Sequence, residues 1–296
     1  MLIGENMEEK TPKRKIRLWI KVVVVLILLV VGTLLYSRFI STSGLVTKEY
    51  LVVNENLPEK FYGLKIAHIS DIHYGQTTRK DEIKSLVKKV NETKPDIIVI
   101  TGDLLDREMK YTKEDLDYLV EKLNELEATL GKYIIMGNHD NTQEAYAEVV
   151  SSSNFTNLND TYQILYNGDN NPILIAGIST GEYSNLFAAE KVEESIKKIK
   201  ELNTSYNILI MHEPDYIEEF DYSNFQLILA GHSHNGQVRL PFIGAIILPP
   251  HAKKYYDNHY TLNDTELYVS SGVGTSTIKF RFFNRPSFNL YRIVNE

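Results

Sequence analysis

Aspartates, histidines and one asparagine stand at the far ends of short apolar runs along this chain. Residues 66–70 lead into Asp71, Ile72 and His73, and residues 96–101 into Gly102 and Asp103. Residues 133–136 lead into Gly137, Asn138, His139 and Asp140. Farther on, 208–211 end at His212, and 226–230 end at Gly231, His232, Ser233 and His234. Five runs of strand length therefore deliver carboxylate, amide and imidazole groups to what reads as one edge of a sheet. Ligands gather at the carboxyl ends of strands in open α/β sheets, because loops there can be polar while the strands stay buried. The chemistry implied is metal binding. Carboxylate, imidazole and an amide oxygen together suit Mn, Fe, Zn or Co better than Ca or Mg. The chain has no cysteine, so any metal must be held by nitrogen and oxygen alone. Disulfides, a thiol nucleophile and iron–sulfur clusters are excluded on the same ground.

Spacing sharpens this. In an extended segment alternate side chains point the same way, so Asp71 and His73 can reach one cation. The same holds for His232 and His234, or a loop there splits them between two ions. Glycines before Asp103, Asn138 and His232 permit backbone geometries that a side chain forbids. Each motif alone is weak, since a lone histidine is more often packed or solvated than a ligand. The series is stronger, because five of eight histidines fall at these run ends. The other three read differently. His68 alternates with Ser70 in a buried strand and is expected to be a hydrogen-bonded core residue. His251 and His259 lie in a tyrosine-rich stretch (Tyr255, Tyr256, Tyr260) and are read as loop residues without a role. Asp140 is expected to brace its loop, and Arg107 to be a solvated surface residue.

The elements that position these groups follow from periodicity. Residues 49–54 read as an edge strand and 65–70 as the first ligand-bearing strand. Ile83, Leu86, Val87 and Val90 recur at helical spacing across 80–91, before Pro95. Residues 96–101 form a continuous apolar strand of the doubly covered kind. Thr112 and Asp115 form a capping-box pattern ahead of Leu116, Leu119, Val120, Leu123 and Leu126, with Gly131 as the helix stop. The first half is thus βαβαβ, a parallel sheet. Beyond Ser153, residues 162–166 and 173–178 flank Asn167, Gly168, Asp169 and Asn170, a hairpin signal. A helix near 188–200 carries Val192, Ile196 and Ile199 on one face. Strands are expected at 208–211, 226–230, 245–248, 266–270 and 287–294. The fold class is α/β, two mixed sheets packed together with helices outside.

The N-terminus carries a different signal. Residues 22–36 are uncharged, and extension back to Leu18 gives a run about 28 Å long at ~1.5 Å per residue, close to the hydrocarbon thickness. Lys21 can snorkel and Trp19 can sit in the interfacial belt. A cleaved signal peptide is the competing reading, with Ser41, Thr42 and Ser43 as a tolerable cleavage stretch, but the apolar run is long for one. Residues 1–21 hold six basic and three acidic side chains. The positive-inside rule therefore puts the N-terminus in the cytoplasm and the rest of the chain outside. The expected organisation is a basic N-terminus (1–17), a single-pass anchor (18–40), a juxtamembrane segment with an edge strand (41–62) and a catalytic domain (63–296). The whole chain is at −7, so the part after residue 21 is at −10. That acidic balance argues against nucleic acid as the main partner.

The run of motifs resembles the calcineurin-like metallophosphoesterase superfamily, and within it the bacterial membrane-associated branch. Residues 231–241, Gly-His-Ser-His-Asn-Gly-Gln-Val-Arg-Leu-Pro, match that branch's Gly-His-Thr-His-Gly-Gly-Gln stretch, with Ser233 and Asn235 as departures. Residues 267–276 and the Arg281, Phe282, Phe283, Asn284, Arg285, Pro286 run fit its C-terminal signature. The match extends from about Lys65 to Ile293. The resemblance implies a four-layer α-β-β-α sandwich and two divalent metal ions. Asp71, His73 and His234 would hold the first ion and Asn138, His212 and His232 the second, with Asp103 bridging. A metal-bridging hydroxide would attack the phosphorus in line. His139 would stabilise charge or protonate the leaving oxygen, and Asp106 would orient it, unless Asp106 is an exposed loop acid. The expected substrate is a phosphodiester or pyrophosphate, lipid- or nucleotide-linked, of the cell envelope. A phosphomonoesterase or phosphoprotein phosphatase is the alternative, and a non-catalytic binding protein on the same fold a lesser one.

Overall fold

The computed structural model describes residues 18–107, 109–140, 144–179, 186–202 and 204–296, with backbone alone for 186–193. The basic N-terminus and the side chain of Val192 lie outside the described residues. The apolar runs form two six-stranded sheets. The first has the order β1 (Val46–Val53), β14 (Ser287–Val294), β2 (Leu64–Ile69), β3 (Ile97–Thr101), β4 (Gly131–Ile135), β5 (Thr156–Asn157). From β2 to β5 it is parallel; β14 runs antiparallel to β2 and parallel to β1. The second has the order β12 (His259–Leu262), β13 (Thr265–Val269), β9 (Leu227–Ala230), β8 (Tyr206–Met211), β7 (Ile173–Ile178), β6 (Thr161–Leu165). Its centre, β13 to β7, is parallel and both edge pairs are antiparallel. A separate two-stranded hairpin pairs β10 (Arg239–Leu240) with β11 (Gly244–Ala245).

Both sheets are mixed and covered on both faces, which is why their central strands read as unbroken apolar runs. Between them lies one core, with Ile66, Val99 and Ile135 of the first sheet among Ile175, Ile208 and Ile210 of the second. Leu86 of α2 (Lys80–Glu92), Leu119 of α3 (Lys113–Asn124) and Val149 of α4 (Glu144–Ser152) pack on the outer face of the first sheet. Ile196 and Ile199 of α5 (Leu186–Glu201) meet Leu209 and Ile228 on the outer face of the second. This is the four-layer α-β-β-α sandwich. Ahead of it stands α1 (Leu18–Leu35), continued by a wider turn over Tyr36–Ile40. The stretch Leu18–Ile40 is long and apolar enough to cross a bilayer, and no residue of α1 is buried.

Three local expectations need correcting. Gly131 does not stop α3, which ends at Asn124 with Glu125 as its cap; it opens β4 instead. Leu126 leaves the helix yet stays in the core beneath it. The strand expected at 245–248 shrinks to a two-residue pairing, because Ile246 and Ile247 turn out to solvent. The capping box is as expected, with Thr112 Oγ1 accepting from Asp115 N and Thr112 N donating to Asp115 Oδ2.

Candidate metal centre

The ligand-bearing loops leave β2, β3 and β4 of the first sheet and β8 and β9 of the second. The groups therefore meet where the carboxyl ends of two sheets adjoin, not along one edge of one sheet. The loops are not extended either. Asp71, His73, Asp103, His232 and His234 all have left-handed backbones, with φ between 47° and 65°. Left-handed non-glycine residues cost ~1–3 kcal/mol each and persist only where surrounding packing over-determines them. The inter-sheet core offers that, at ~1.5–3 kcal/mol per buried aliphatic side chain. Strain on this scale, gathered on residues with ligand chemistry, marks a functional site. Asn235 is also left-handed (φ 47°), a conformation asparagine tolerates better than most residues. That accounts physically for an asparagine where the family motif has glycine.

Close approach adds a second constraint. A Cβ on Gly137 would lie 2.3 Å from Asp103 N and Oδ1, and one on Gly231 would lie 1.9 Å from Ser70 Oγ. Side chains at either position would push the Asp103 and Asp71 loops apart.

The groups fall into two clusters that share Asp103. In the first, His73 Nε2 is 3.2 Å from His234 Nε2 and 3.6 Å from Asp103 Oδ2, and His234 Nε2 is 3.4 Å from Asp71 Oδ1. In the second, His212 Nε2 is 3.1 Å from Asn138 Oδ1 and 3.4 Å from Asp103 Oδ1, with His232 beside them. His232 and His234 are thus split between the clusters. Lone-pair atoms crowd together in both, and a cation among them resolves the crowding. The outer nitrogens agree: His212 Nδ1 is 2.7 Å from Thr101 O and His232 Nε2 is 2.8 Å from Pro250 O. Ring N–H groups donating to carbonyls fix the tautomer and leave the opposite nitrogen for a metal. Nδ1 of His73 and of His234 are buried with no hydrogen-bond partner. The donor set fits divalent cations.

The electrostatics of the groups divide. Burial alone would raise the Asp103 carboxyl, but His212, His73 and His139 hold it well below the usual range. Burial pushes His73 down to about 3, His232 down, and His234 well below the ordinary value, so these rings are neutral. Burial raises Asp71 to about 6. Neutral imidazole and ionised carboxylate are the forms that bind metal; at His212 the Asp103 and Asp71 carboxylates outweigh burial and hold the ring well above its ordinary value, so a metal at its Nε2 would displace a proton.

The remaining predicted residues are placed as follows. His139 N donates to Asp103 Oδ1 at 2.8 Å, and its ring meets that of His73 edge-on at 4.7 Å. A nitrogen of His139 lies within 4.8 Å of ligand atoms of His73 and Asp103. Asp106 is buried, not an exposed loop acid, and its Oδ2 is 4.0 Å from His73 Nδ1. Asp140 braces its loop, accepting from the N–H groups of Leu104, Leu105 and Gly137. Arg107 is exposed but not merely solvated, since Nη2 donates to Asn138 O at 2.7 Å. His68 is the expected core residue, with Nδ1 3.2 Å from the Tyr291 hydroxyl and Nε2 2.8 Å from that of Thr101. His251 stacks on Tyr216; His259 is not a loop residue but opens β12, where it stacks on Tyr268 and pairs with Glu266.

Two residues near the centre escaped the sequence reading. Arg281 is fully buried, and its Nη2 donates to the carbonyls of Ser271, Gly272 and Gly274, holding the loop that backs Asp71 and His234. Burial lowers its guanidinium to about 9. Asn284 Nδ2 donates to His234 O at 2.5 Å. Both belong to the C-terminal signature, which was the available signal.

The chain is similar to known metallophosphoesterases. The sequence profile for calcineurin-like phosphoesterases matches residues 64–236. The metallophosphoesterase YkuE of Bacillus subtilis is 31% identical over 262 residues, covering 87% of this chain and 88% of that protein. A transmembrane protein with a metallophosphoesterase domain from Danio rerio is 28% identical over 78% of this chain and 53% of its own length. The UDP-2,3-diacylglucosamine pyrophosphatase LpxG of Chlamydia trachomatis is 26% identical over 82% of this chain and 88% of that protein. With the profile spanning both clusters from β2 through His234, the chain belongs to the calcineurin-like phosphoesterase family and is a metal-dependent phosphoric ester hydrolase.

Proposed function

We propose that this protein is a membrane-anchored dinuclear phosphoesterase that cleaves a phosphodiester or pyrophosphate bond in a lipid- or nucleotide-linked substrate of the cell envelope. One observation carries the two-metal part: the Asp103 carboxylate is divided, Oδ1 toward His212 and Oδ2 toward His73. In this reading Asp71, His73 and His234 hold one ion, Asn138, His212 and His232 the other, and Asp103 bridges; Mn, Fe and Zn all suit the donors. When bound, such a pair supplies Lewis acidity and a hydroxide nucleophile at neutral pH. The rest is the chain's own work. Asp140 and the His139 N–H fix Asp103 and its loop. His139 stabilises the developing charge or hands a proton to the leaving oxygen, with Asp106 orienting it.

The anchor reading assigns 18–40 to the bilayer as a single pass, 1–17 to the cytoplasm, 41–62 to a juxtamembrane segment, and 63–296 to an extracytoplasmic catalytic domain. The substrate class is supported by the tether and by LpxG, whose named substrate is both nucleotide- and lipid-linked.

The test uses the full-length protein in detergent. Metal content is measured, and hydrolysis of bis-p-nitrophenyl phosphate, p-nitrophenyl phosphate, nucleotide sugars and a lipid-linked pyrophosphate is compared with and without chelator. Two ions per chain and chelator-sensitive cleavage of diester or pyrophosphate are expected. A clear monoester preference would refute the substrate class.

A further inference from the structure

Between Leu240 and Pro250 the chain carries no charged residue and no hydrogen-bonding side chain. Those residues form the tip and return of the β10–β11 hairpin. Phe242 is completely exposed, and Ile243, Ile246 and Ile247 are each more than half exposed. Apolar side chains contiguous on a surface, rather than scattered singly, mark an interaction site.

Two sets of contacts say what covers this one. The excursion begins and ends at the metal centre: it leaves from His234, and Pro250 returns its carbonyl to His232 Nε2. Its underside packs on the ligand turn, where a Cβ on Gly236 would lie 2.1 Å from Ala245 Cβ. Its base is also tied to the end of the apolar N-terminal helix. Arg239 N donates to Phe282 O at 2.9 Å, the Phe282 ring meets Tyr36 edge-on at 6.1 Å, and Arg281 N donates to Ser37 O at 3.1 Å. Phe39, Ile40 and Phe283 beside that junction are exposed as well. The hairpin tip stands three residues beyond Arg239, roughly 10 Å at ~3.3 Å per residue. Whatever solvates the unburied α1 must therefore end beside this hairpin.

We propose that the β10–β11 hairpin is a second membrane contact, dipping Phe242, Ile243 and Ile247 into the interface of the bilayer that holds α1. The metal centre then opens at the lipid surface, and its substrate is a phosphoester presented by a lipid headgroup. The inference rests on the anchor reading above. It adds that the catalytic domain lies against the membrane instead of standing off on a flexible tether.

The chain has a single tryptophan, Trp19, so tryptophan quenching by brominated phosphatidylcholine reads both contacts separately. The full-length protein is reconstituted in vesicles as wild type, as W19F/F242W, and as W19F/Y166W, with position 166 an exposed control on the far edge of the second sheet. Quenching of Trp19 and of Trp at 242 by shallow bromines, about twofold or more, is expected, with no quenching at 166. If Trp19 escapes quenching, the anchor reading itself fails. If Trp19 is quenched and position 242 is not, the hairpin proposal is overturned, and concentration-dependent self-crosslinking through 242 would assign the patch to a second copy. In F242D/I247D, cleavage of a vesicle-borne lipid phosphoester should fall about tenfold or more while bis-p-nitrophenyl phosphate turnover stays within about twofold. Equal loss on both substrates would also overturn it.

Discussion

Asp103 faces both clusters, and nothing else in the site can substitute for a carboxylate with one oxygen toward each. Asp103→Asn keeps the size and removes the charge, so metal content and turnover should fall together. The expected loss of kcat/KM exceeds the ~10–100-fold seen on removing outer-shell partners. His139→Ala should retain both ions and lose ~10²–10⁴ in kcat, the span of general acid–base catalysis. Metal loss in that variant, measured by elemental analysis, would transfer His139 to the ligand set. Gly137→Ala tests the packing behind the chemistry. Its methyl would overlap Asp103 N and Oδ1, so a loss of ~1–3 kcal/mol in denaturant titration and weakened metal binding are expected. The ligand types and their glycines were legible from sequence because chemistry and loop sterics are local. The left-handed backbones were not, since an Asp-x-His pattern reads equally well as extended chain. Arg281 stood in the C-terminal signature, but its part in holding the loop behind Asp71 and His234 was not legible, because that depends on the fold burying it.

Elements with their own periodicity or capping chemistry were foreseen nearly to the residue in α2, the β6–β7 hairpin and β14, and at the Thr112-capped start of α3, though not at its end. Two-residue pairings such as β5, β10 and β11 were not, because they are set by their partners and not by any local pattern. Lys132 gives a test at this scale. It lies on β4 with Nζ donating to the carbonyls of Leu123 and Leu126 at the end of α3, and burial lowers its ammonium to about 8. Below pH 8 the lysine is charged in both folded and unfolded chains, and burying that charge costs stability. Between about pH 8 and the ordinary lysine value near 10.5 the unfolded chain holds a proton the folded one has released, so this group makes stability rise with pH. Lys132→Met lacks that linkage. The thermal midpoint of wild type relative to the variant should therefore be higher at pH 10 than at pH 7, and an unchanged difference would mean the lysine is solvated.

At the scale of the molecule, two sheets are held at one end by side chains that repel or leave lone pairs facing one another until cations are added. Metal binding is then part of the stability. Saturating the site at about 100 times Kd contributes ~2.7 kcal/mol per independent ion, so chelation should lower the thermal midpoint, and re-addition should restore it with two-ion stoichiometry. A midpoint insensitive to chelator would argue against a dinuclear centre. The sequence by itself determined two sheets with helices outside, an N-terminal apolar stretch long enough to cross a bilayer, the absence of thiol chemistry and the identity of the groups with ligand chemistry, because these follow from periodicity, length and composition. Only the tertiary structure decided that the ligands converge from two sheets instead of one. It also decided that an apolar hairpin shares its base with the end of α1. Those outcomes depend on which strand ends are brought side by side across a packed core, and no residue carries that information in its neighbours along the chain.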